Sequence, residues 1–299
     1  MLTLFFGVSL VLNWPVSICY GEKLSAVASI FPVADMIKQV GGDYVDVMTI
    51  IPPGASPHTF TLKPSQVKRI SVARIYFAIG AGLEISVDKF ILLSQKSIKR
   101  VILSEGIPLI YGAEPHHHEG DSVSHQNHDI ANPHIWLDPQ LSKWMVDKIV
   151  NSLSEIDAAH RQYYEKNGNL YQQKLDELDL LIKDAVSQFT IKQYVSFHPA
   201  WVYFAKRYGL ESVGTIETSP GANPMLKTTM KIVNQIKIHH IRAVFAEPQL
   251  NPRVAEVIAK EANVKVLFLD PIGGPDLEGR HTYIDLMKYN LNVLQEAMK

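Results

Sequence analysis

Histidine is the residue type in this chain with the most capacity for chemistry, since twelve histidines stand against one cysteine in 299 residues. Outside the histidine-rich segment at 114–129, three of them adjoin a proline: His58 and His134 directly follow one, and His198 directly precedes one. Asp270 has a similar setting, after an apolar run and before another proline. Three neutral imidazoles and one carboxylate suit Zn²⁺ in tetrahedral geometry, whereas Mn²⁺ prefers more oxygen ligands. The sequence therefore predicts a zinc site formed by these four side chains.

A second group of histidines lies in a polar segment of low complexity at residues 114–129. The segment also carries acidic residues and has no apolar period, so we expect a mobile loop rather than a packed element. We interpret it as an auxiliary loop that binds metal weakly, and the alternative is a merely polar surface loop. Its histidines are His116, His117, His118, His125 and His128.

Strand-like and helix-like segments alternate along both halves of the chain. Short apolar runs predict strands at 25–29, 44–51, 75–79, 193–197, 243–246 and 264–269. Helical patterns lie between them at 33–40, 64–73, 200–208, 225–237 and 252–261. This alternation predicts an α/β fold of two lobes with mainly parallel sheets flanked by helices. Ligands of such sheets bind beyond the carboxyl ends of the strands, so the four candidate ligands, two from each lobe, are expected to meet between the lobes.

The middle of the chain has a different pattern. Residues 139–189 contain no strand-like run, and apolar residues recur there at helical spacing. We expect one long rigid helix at 158–189 with Asp157 as its cap, in which Gly168 costs about 1 kcal/mol relative to alanine. The predicted organisation is an N-terminal lobe at 22–157, a linker helix at 158–189 and a C-terminal lobe at 190–299.

Glu247 directly follows the predicted strand at 243–246, at the level where ligands are expected. Histidines that bind a metal usually donate their other ring N–H to an acceptor such as a carboxylate. We therefore interpret Glu247 as the partner of a ligating imidazole. The alternative is a surface-facing residue that caps the strand.

The first 21 residues carry no charged side chain, and residues 2–12 are almost wholly apolar. This run has the length of the apolar core of a signal peptide and is too short to span a bilayer comfortably. We predict a signal peptide at 1–21 and an exported, periplasmic mature protein. A lipid anchor at Cys19, and a buried N-terminal element of a cytosolic protein, are the alternatives.

The composition excludes several classes of protein. Twenty-nine basic and thirty acidic residues nearly cancel, which disfavours a strongly basic nucleic-acid binder. A single cysteine excludes a disulfide framework and a site of paired cysteines. The glycine pairs do not have the spacing of a nucleotide-binding loop, so the energy for any transport must come from partner subunits.

Five short motifs together resemble the metal-binding solute-binding proteins of ABC importers (cluster A-I), and within them the high-affinity zinc uptake branch. The resemblance extends over essentially the whole chain after residue 21, with the motifs in order. They are PHTF at 57–60, NPHIWLDP at 132–139, FHPAW at 197–201, FAEPQ at 245–249 and LDPIG at 269–273.

The resemblance implies two α/β lobes bridged by a rigid helix, with one metal ion between them held by His58, His134, His198 and Asp270. Manganese-binding relatives tend to carry a carboxylate where this chain has His198, so the resemblance favours zinc. Some zinc-binding relatives complete the site with water instead of a carboxylate. The implied partners are a membrane permease and, through it, an ATPase, and the implied state is a monomer.

Three other functions remain open from the residues alone. A manganese-binding importer component has the same fold, and a zinc buffer or adhesin would depend on the loop at 114–129 more than on the pocket. A secreted zinc hydrolase is disfavoured, because no His-Glu-x-x-His helix occurs and Asp270 would fill the position that a catalytic water needs. We therefore expect a binding protein rather than an enzyme. Its histidines would lose the metal as they protonate near pH 6.

Overall fold

Both predicted sheets are present, and each is parallel throughout its described strands. The structure is a computed structural model, and it describes residues 22–93, 98–111, 131–217 and 226–299. The N-terminal sheet has the strand order β2-β1-β3-β4. Its strands are β1 (Leu24–Ala28), β2 (Val45–Thr49), β3 (Ile75–Ala78) and β4 (Lys99–Ile102). The helices of this lobe are α1 (Phe31–Gly41), α2 (Pro64–Ile70) and α3 (Ile85–Leu93).

Two long helices connect this lobe to the second sheet: α4 (Pro139–Ile156) and α5 (Arg161–Ser187). The C-terminal sheet has the order β6-β5-β7-β8, which is the same strand connectivity as in the first sheet. Its strands are β5 (Gln193–Ser196), β6 (Glu211–Thr215), β7 (Ala243–Ala246) and β8 (Lys265–Phe268). Its helices are α6 (Val202–Tyr208), α7 (Leu226–Ile238), α8 (Arg253–Ala262) and α9 (Tyr283–Met298).

The central strands explain why the fold class follows from the sequence. All four residues of β3 and all four of β7 are buried, because helices cover both faces of each sheet. Such strands appear in the sequence as continuous apolar runs rather than as alternating apolar and polar residues. The predicted α/β fold, with two mainly parallel lobes joined by a long helix, is confirmed.

The linker helix differs from the prediction at its start, because it begins at Arg161 rather than at 158 and Asp157 is not its cap. Helix α4 ends at Ile156, a single 3-10 turn follows at Ala158–His160, and α5 starts at Arg161. The Asp157 side chain does not cap a backbone N–H there: Oδ2 accepts from the Tyr164 hydroxyl at 2.6 Å and lies 2.7 Å from His160 Nδ1. The aspartate therefore fixes a corner between two helices instead of starting one.

Gly168 of α5 packs against Val150 of α4. A Cβ atom at this position would lie 2.4 Å from Cγ2 of Val150, well inside van der Waals contact. The glycine that lowers the helix propensity of α5 therefore allows the two helices to pack.

We expect Gly168→Ala to lower the free energy of unfolding by roughly 1 kcal/mol. Overpacking costs about 1–3 kcal/mol, and the better helix propensity of alanine offsets about 1 kcal/mol of it. Urea unfolding of the metal-free protein measures the difference. The double variant Gly168→Ala/Val150→Ala removes the clash and should be more stable than the sum of the single effects predicts. A Gly168→Ala protein more stable than the wild type would contradict this account of the packing.

Buried hydrogen bonds connect the two lobes behind the ends of the sheets. The Trp136 indole N–H donates to the carbonyl of Pro271 at 2.7 Å, and the Tyr283 hydroxyl donates to the carbonyl of Trp136 at 2.6 Å. The Asp35 carboxylate of α1 accepts from the backbone N–H of Tyr283 at 3.0 Å, at the start of α9. Because these groups are buried, breaking one of the hydrogen bonds without a replacement costs free energy. The hydrogen bonds therefore hold the two lobes in a defined relative position. No helix in the described ranges is both long and apolar enough to cross a bilayer.

Candidate metal centre

The three proline-flanked histidines converge between the lobes. His58 lies in the segment between β2 and α2, His134 directly precedes a 3-10 turn at Ile135–Leu137, and His198 lies between β5 and a 3-10 turn at Pro199–Trp201. Each is therefore placed by a short rigid turn or a proline-rich segment rather than by the middle of an element. Their ligand atoms all lie within 4.8 Å of one another.

The spacing of the ring nitrogens matches the spacing of ligands around one ion. His134 Nε2 lies 3.2 Å from His58 Nε2 and 3.1 Å from His198 Nε2. In a tetrahedral site with metal–nitrogen bonds of about 2.0–2.1 Å, two ligand nitrogens lie roughly 3.3 Å apart. The rings are therefore arranged in advance for a small tetrahedral ion, and little reorganisation is needed to bind one.

Hydrogen bonds at the far side of two rings fix their tautomers. His134 Nδ1 lies 2.9 Å from Asn132 Oδ1, and the Asn132 amide nitrogen donates to the carbonyl of Pro199 at 2.7 Å. Because the amide oxygen can only accept, His134 Nδ1 carries the proton. His198 Nδ1 is in short contact with Oε1 of the Glu247 carboxylate and donates to it in the same way.

The protonation of Nδ1 determines the state of Nε2 at the opposite side of the His134 and His198 rings. With Nδ1 protonated in a neutral ring, Nε2 of His134 and Nε2 of His198 both present bare lone pairs, and these face each other at 3.1 Å. Two lone pairs at this distance repel unless an electrophile lies between them. The donor set therefore fits a bound cation, and the residues present suit zinc.

The surroundings of His58 and His134 keep these two rings neutral. His134 and His198 are only 2% and 4% exposed, whereas His58 is exposed over much of its surface and closes the cavity from the outside. The His58 ring is nevertheless largely removed from solvent, and this desolvation, followed by the neighbouring His198, lowers the pKa of His58 to about 4. Burial and the two neighbouring histidines lower the pKa of His134 well below its ordinary value. Neutral imidazole is the form that binds a metal.

The cavity at the cluster is small. Its volume is about 10 Å³, which is the space of about one water-sized sphere. Apolar groups of Pro57, Leu250 and Ile272 form part of its wall. The cavity can hold a single ion and is too small for an organic substrate.

Asp270 is a correction to the predicted ligand set, because its side chain does not converge with the histidines. It is fully buried, and Oδ2 pairs with Arg280 Nη1 at 2.8 Å. Oδ1 accepts from the backbone N–H groups of Ile272 and Gly273 at 3.0 and 2.9 Å and from Gln249 Nε2 at 2.7 Å. The group of side chains able to hold one ion in the described ranges consists of His58, His134 and His198.

The carboxylate of Glu247 faces His198. It is 2% exposed, and it also accepts from the backbone N–H of His198 at 3.4 Å. A carboxylate behind a ligating imidazole orients the ring and makes the distal nitrogen more basic.

We expect Glu247→Gln to lower zinc affinity by about 10-fold and Glu247→Ala by up to about 100-fold. The glutamine keeps an acceptor for the ring N–H but loses the charge, and the alanine loses both. Titration of metal-stripped protein against a chromophoric zinc chelator measures the change. Glu296→Gln, at an exposed residue paired with Lys265, is the matched control and should bind as the wild type does. Wild-type affinity in Glu247→Ala would show that the carboxylate has no such role.

Two polar residues that bear on the site were not singled out from the sequence. Asn132 and Gln249 both lie in motifs that carry the family resemblance, and this position was the available signal. Their hydrogen-bond partners could not be predicted from the spacing of residues. The five histidines of the predicted auxiliary loop, the signal peptide at 1–21 and Cys19 lie outside the described residues.

Comparison with known proteins identifies close structural counterparts. Residues 26–297 match the family model "ZnuA: Zinc-uptake complex component A periplasmic". The chain is 30% identical over 286 residues to "High-affinity zinc uptake system protein ZnuA" of Bacillus subtilis (strain 168), covering 93% of this chain and 88% of that protein. It is 29% identical to "Manganese ABC transporter substrate-binding lipoprotein PsaA" of Streptococcus mitis, covering 93% and 90%. A solved structure, "Crystal structure of ZnuA", has a TM-score of 0.82 at 26% identity, covering 92% of this chain and 99% of that one.

Proposed function

The chain belongs to the family of periplasmic zinc-uptake complex component A proteins, and on that premise we propose that it captures Zn²⁺ between its two lobes and delivers it to the permease of an ABC importer. The observation that carries this proposal is the convergence of three imidazoles, two of which have their lone pairs fixed toward one point. The family is a component of metal uptake rather than an enzyme.

The proposed ligands are His58, His134 and His198. Capture requires affinity and release but no bond breaking, and His58 and His134 begin as neutral rings because desolvation disfavours their protonation. His134 and His198 are the fixed ligands, since each is held by a hydrogen bond at Nδ1. His58, on the exposed side of the cavity, completes the set as the ion enters.

The donor set favours zinc over manganese. The converging groups are three nitrogen donors, and the nearest carboxylates, Glu247 and Asp270, are each engaged with other groups. Mn²⁺ is a harder ion that prefers carboxylate and water oxygens. The similarity to a manganese transporter component keeps manganese as the alternative, and the nitrogen-rich site argues against it.

The location and partners follow from the family and extend the proposal. We place the mature protein in the periplasm after removal of a signal peptide at 1–21, with lipid anchoring at Cys19 as the alternative. Its partner is a membrane permease coupled to an ATPase, and it acts as a monomer. The functional division is an N-terminal lobe at 22–157, a linker at 158–189 and a C-terminal lobe at 190–299, with the histidine-rich loop at 114–129 as an auxiliary collector of ions.

A competition titration tests the proposal. Metal-stripped mature protein is offered Zn²⁺ or Mn²⁺ against a chromophoric chelator, and the wild type is compared with a form that lacks residues 115–128. We expect one tight zinc site that survives the deletion, with much weaker manganese binding. A preference for manganese would refute the metal, and a capacity that disappears with the loop would favour a zinc buffer over an importer component.

A further inference from the structure

Gln249 connects the buried Asp270 to the histidine cavity. It lies two residues beyond Glu247 in the segment that follows β7, and its side chain lines the cavity together with the three histidines. Its amide nitrogen donates to Asp270 Oδ1 at 2.7 Å. The carboxylate predicted as a ligand therefore contacts a residue of the cavity wall.

The orientation of the Gln249 amide is fixed by chemistry. Asp270 accepts from Arg280 and from two backbone N–H groups, so it acts as an acceptor toward all its neighbours. The end of the amide that faces it must be the NH₂ group. The amide oxygen, Oε1, is consequently directed away from Asp270.

Oε1 of Gln249 is buried, and within the described ranges it has no hydrogen-bond donor. A buried carbonyl-type oxygen without a donor is unfavourable, so such an atom in a binding site indicates a partner that arrives with the ligand. Three histidines leave one position of a tetrahedral zinc ion unfilled. Water bound to zinc at that position is an acidified and therefore strong hydrogen-bond donor.

We propose that Gln249 Oε1 accepts a hydrogen bond from the water that completes the zinc coordination, and that Asp270 acts as a positioning residue that holds the amide for this purpose. This inference rests on the proposed function, since it assigns a role at the same site. Arg280 and the backbone N–H groups hold Asp270 in place, and Asp270 holds Gln249. The carboxylate thus acts on the metal through the amide and not as a ligand.

A double-mutant cycle tests the proposal. Gln249→Leu removes both the acceptor and the donor, and we expect a loss of zinc affinity of about 10-fold with one site per chain retained. Asp270→Asn loosens the same amide, and we expect a loss of similar size. Because both changes act through one group, the double variant should lose little more than either single variant.

Cobalt absorption provides a second measurement that a merely structural effect would not change. Co²⁺ replaces Zn²⁺ in the wild type and in Gln249→Leu, and we expect the visible absorption bands to shift in the variant because the bound water has lost its acceptor. Gln188→Leu is the control, since Gln188 is exposed and bonds to Ser187. Thermal unfolding of the metal-free proteins checks the fold, and Gln249→Ala is used if Gln249→Leu is unstable.

The outcomes are distinct. Wild-type affinity and spectrum in the Gln249 variants would overturn the proposal. A loss above about 100-fold in Asp270→Asn, with Gln249→Leu unaffected, would overturn it in favour of a carboxylate ligand. Failure of the wild type to bind zinc tightly at one site would instead refute the proposed function, and with it the basis of this inference.

Discussion

Replacing His134 with alanine is expected to lower zinc affinity by more than about 100-fold. Loss of a residue that only supports a ligand lowers metal affinity by up to about 100-fold, and here a ligand itself is lost. His134 is the centre of the cluster, since its Nε2 lies within 3.2 Å of both other ring nitrogens. Its ring is 2% exposed and held by Asn132, so no water or mobile side chain can readily take its place. The remaining pair of histidines would form a much weaker site.

Isothermal or chelator-competition titration of the metal-stripped variant measures the loss. His281→Ala is the matched control, because His281 is exposed and bonds only to the carbonyl of Pro275 among the described hydrogen bonds. If His134→Ala proves unstable, His58→Ala removes a ligand from an exposed segment and should also abolish tight binding. Retention of wild-type affinity by either variant would show that the zinc site lies elsewhere, for example in the loop at 114–129.

His198 could be singled out from the sequence by a rule of topology, whereas His134 was singled out by its adjoining proline. In a parallel sheet the strand ends share one edge, so residues such as His198 directly after an apolar strand are placed near one another by the fold alone. Asp270 satisfied the same rule and still does not join the cluster. The rule places a residue at an edge, but the direction of its side chain depends on competing partners, and Arg280 and Gln249 compete successfully for this carboxylate.

Two strands that the sequence did not predict, β4 and β6, share a physical cause as well. Strand β4 is an edge strand that contains Lys99 and Arg100, and β6 is an edge strand that begins with a glutamate, so neither reads as an apolar run. The start of α5 at Arg161 rather than at 158 accompanies local contacts of Asp157 with Tyr164 and His160. A helical pattern in the sequence does not reveal such side-chain contacts. In the buried strands β3 and β7, by contrast, every residue is apolar and indicates a strand.

Zinc affinity is expected to resist acid far better than ordinary histidines would allow. Three imidazoles with the usual pKa of about 6.5 would lose about 1000-fold in affinity between pH 7.5 and pH 5.5, since each ring contributes about 10-fold. Burial lowers the pKa of His58 to about 4 and that of His134 well below its ordinary value. The lowered pKa values keep these two rings largely neutral over the interval, so the expected loss is far smaller than 1000-fold.

The same lowered pKa values that protect zinc binding in acid make the folded protein less stable there. This loss of stability limits the pH range of the experiment. Because the folded pKa values of His58 and His134 are lowered, their contribution to stability is fully present above the unfolded pKa of about 6.5. Below that pH the unfolded chain takes up protons that the folded rings refuse, and stability falls until the folded pKa values are reached. Affinity is therefore titrated from pH 7.5 to 5.5, with unfolding of the metal-free protein followed at each pH. A 1000-fold loss of zinc affinity while the protein remains folded would show that the rings protonate normally, and that the buried cluster does not exclude protons before zinc arrives.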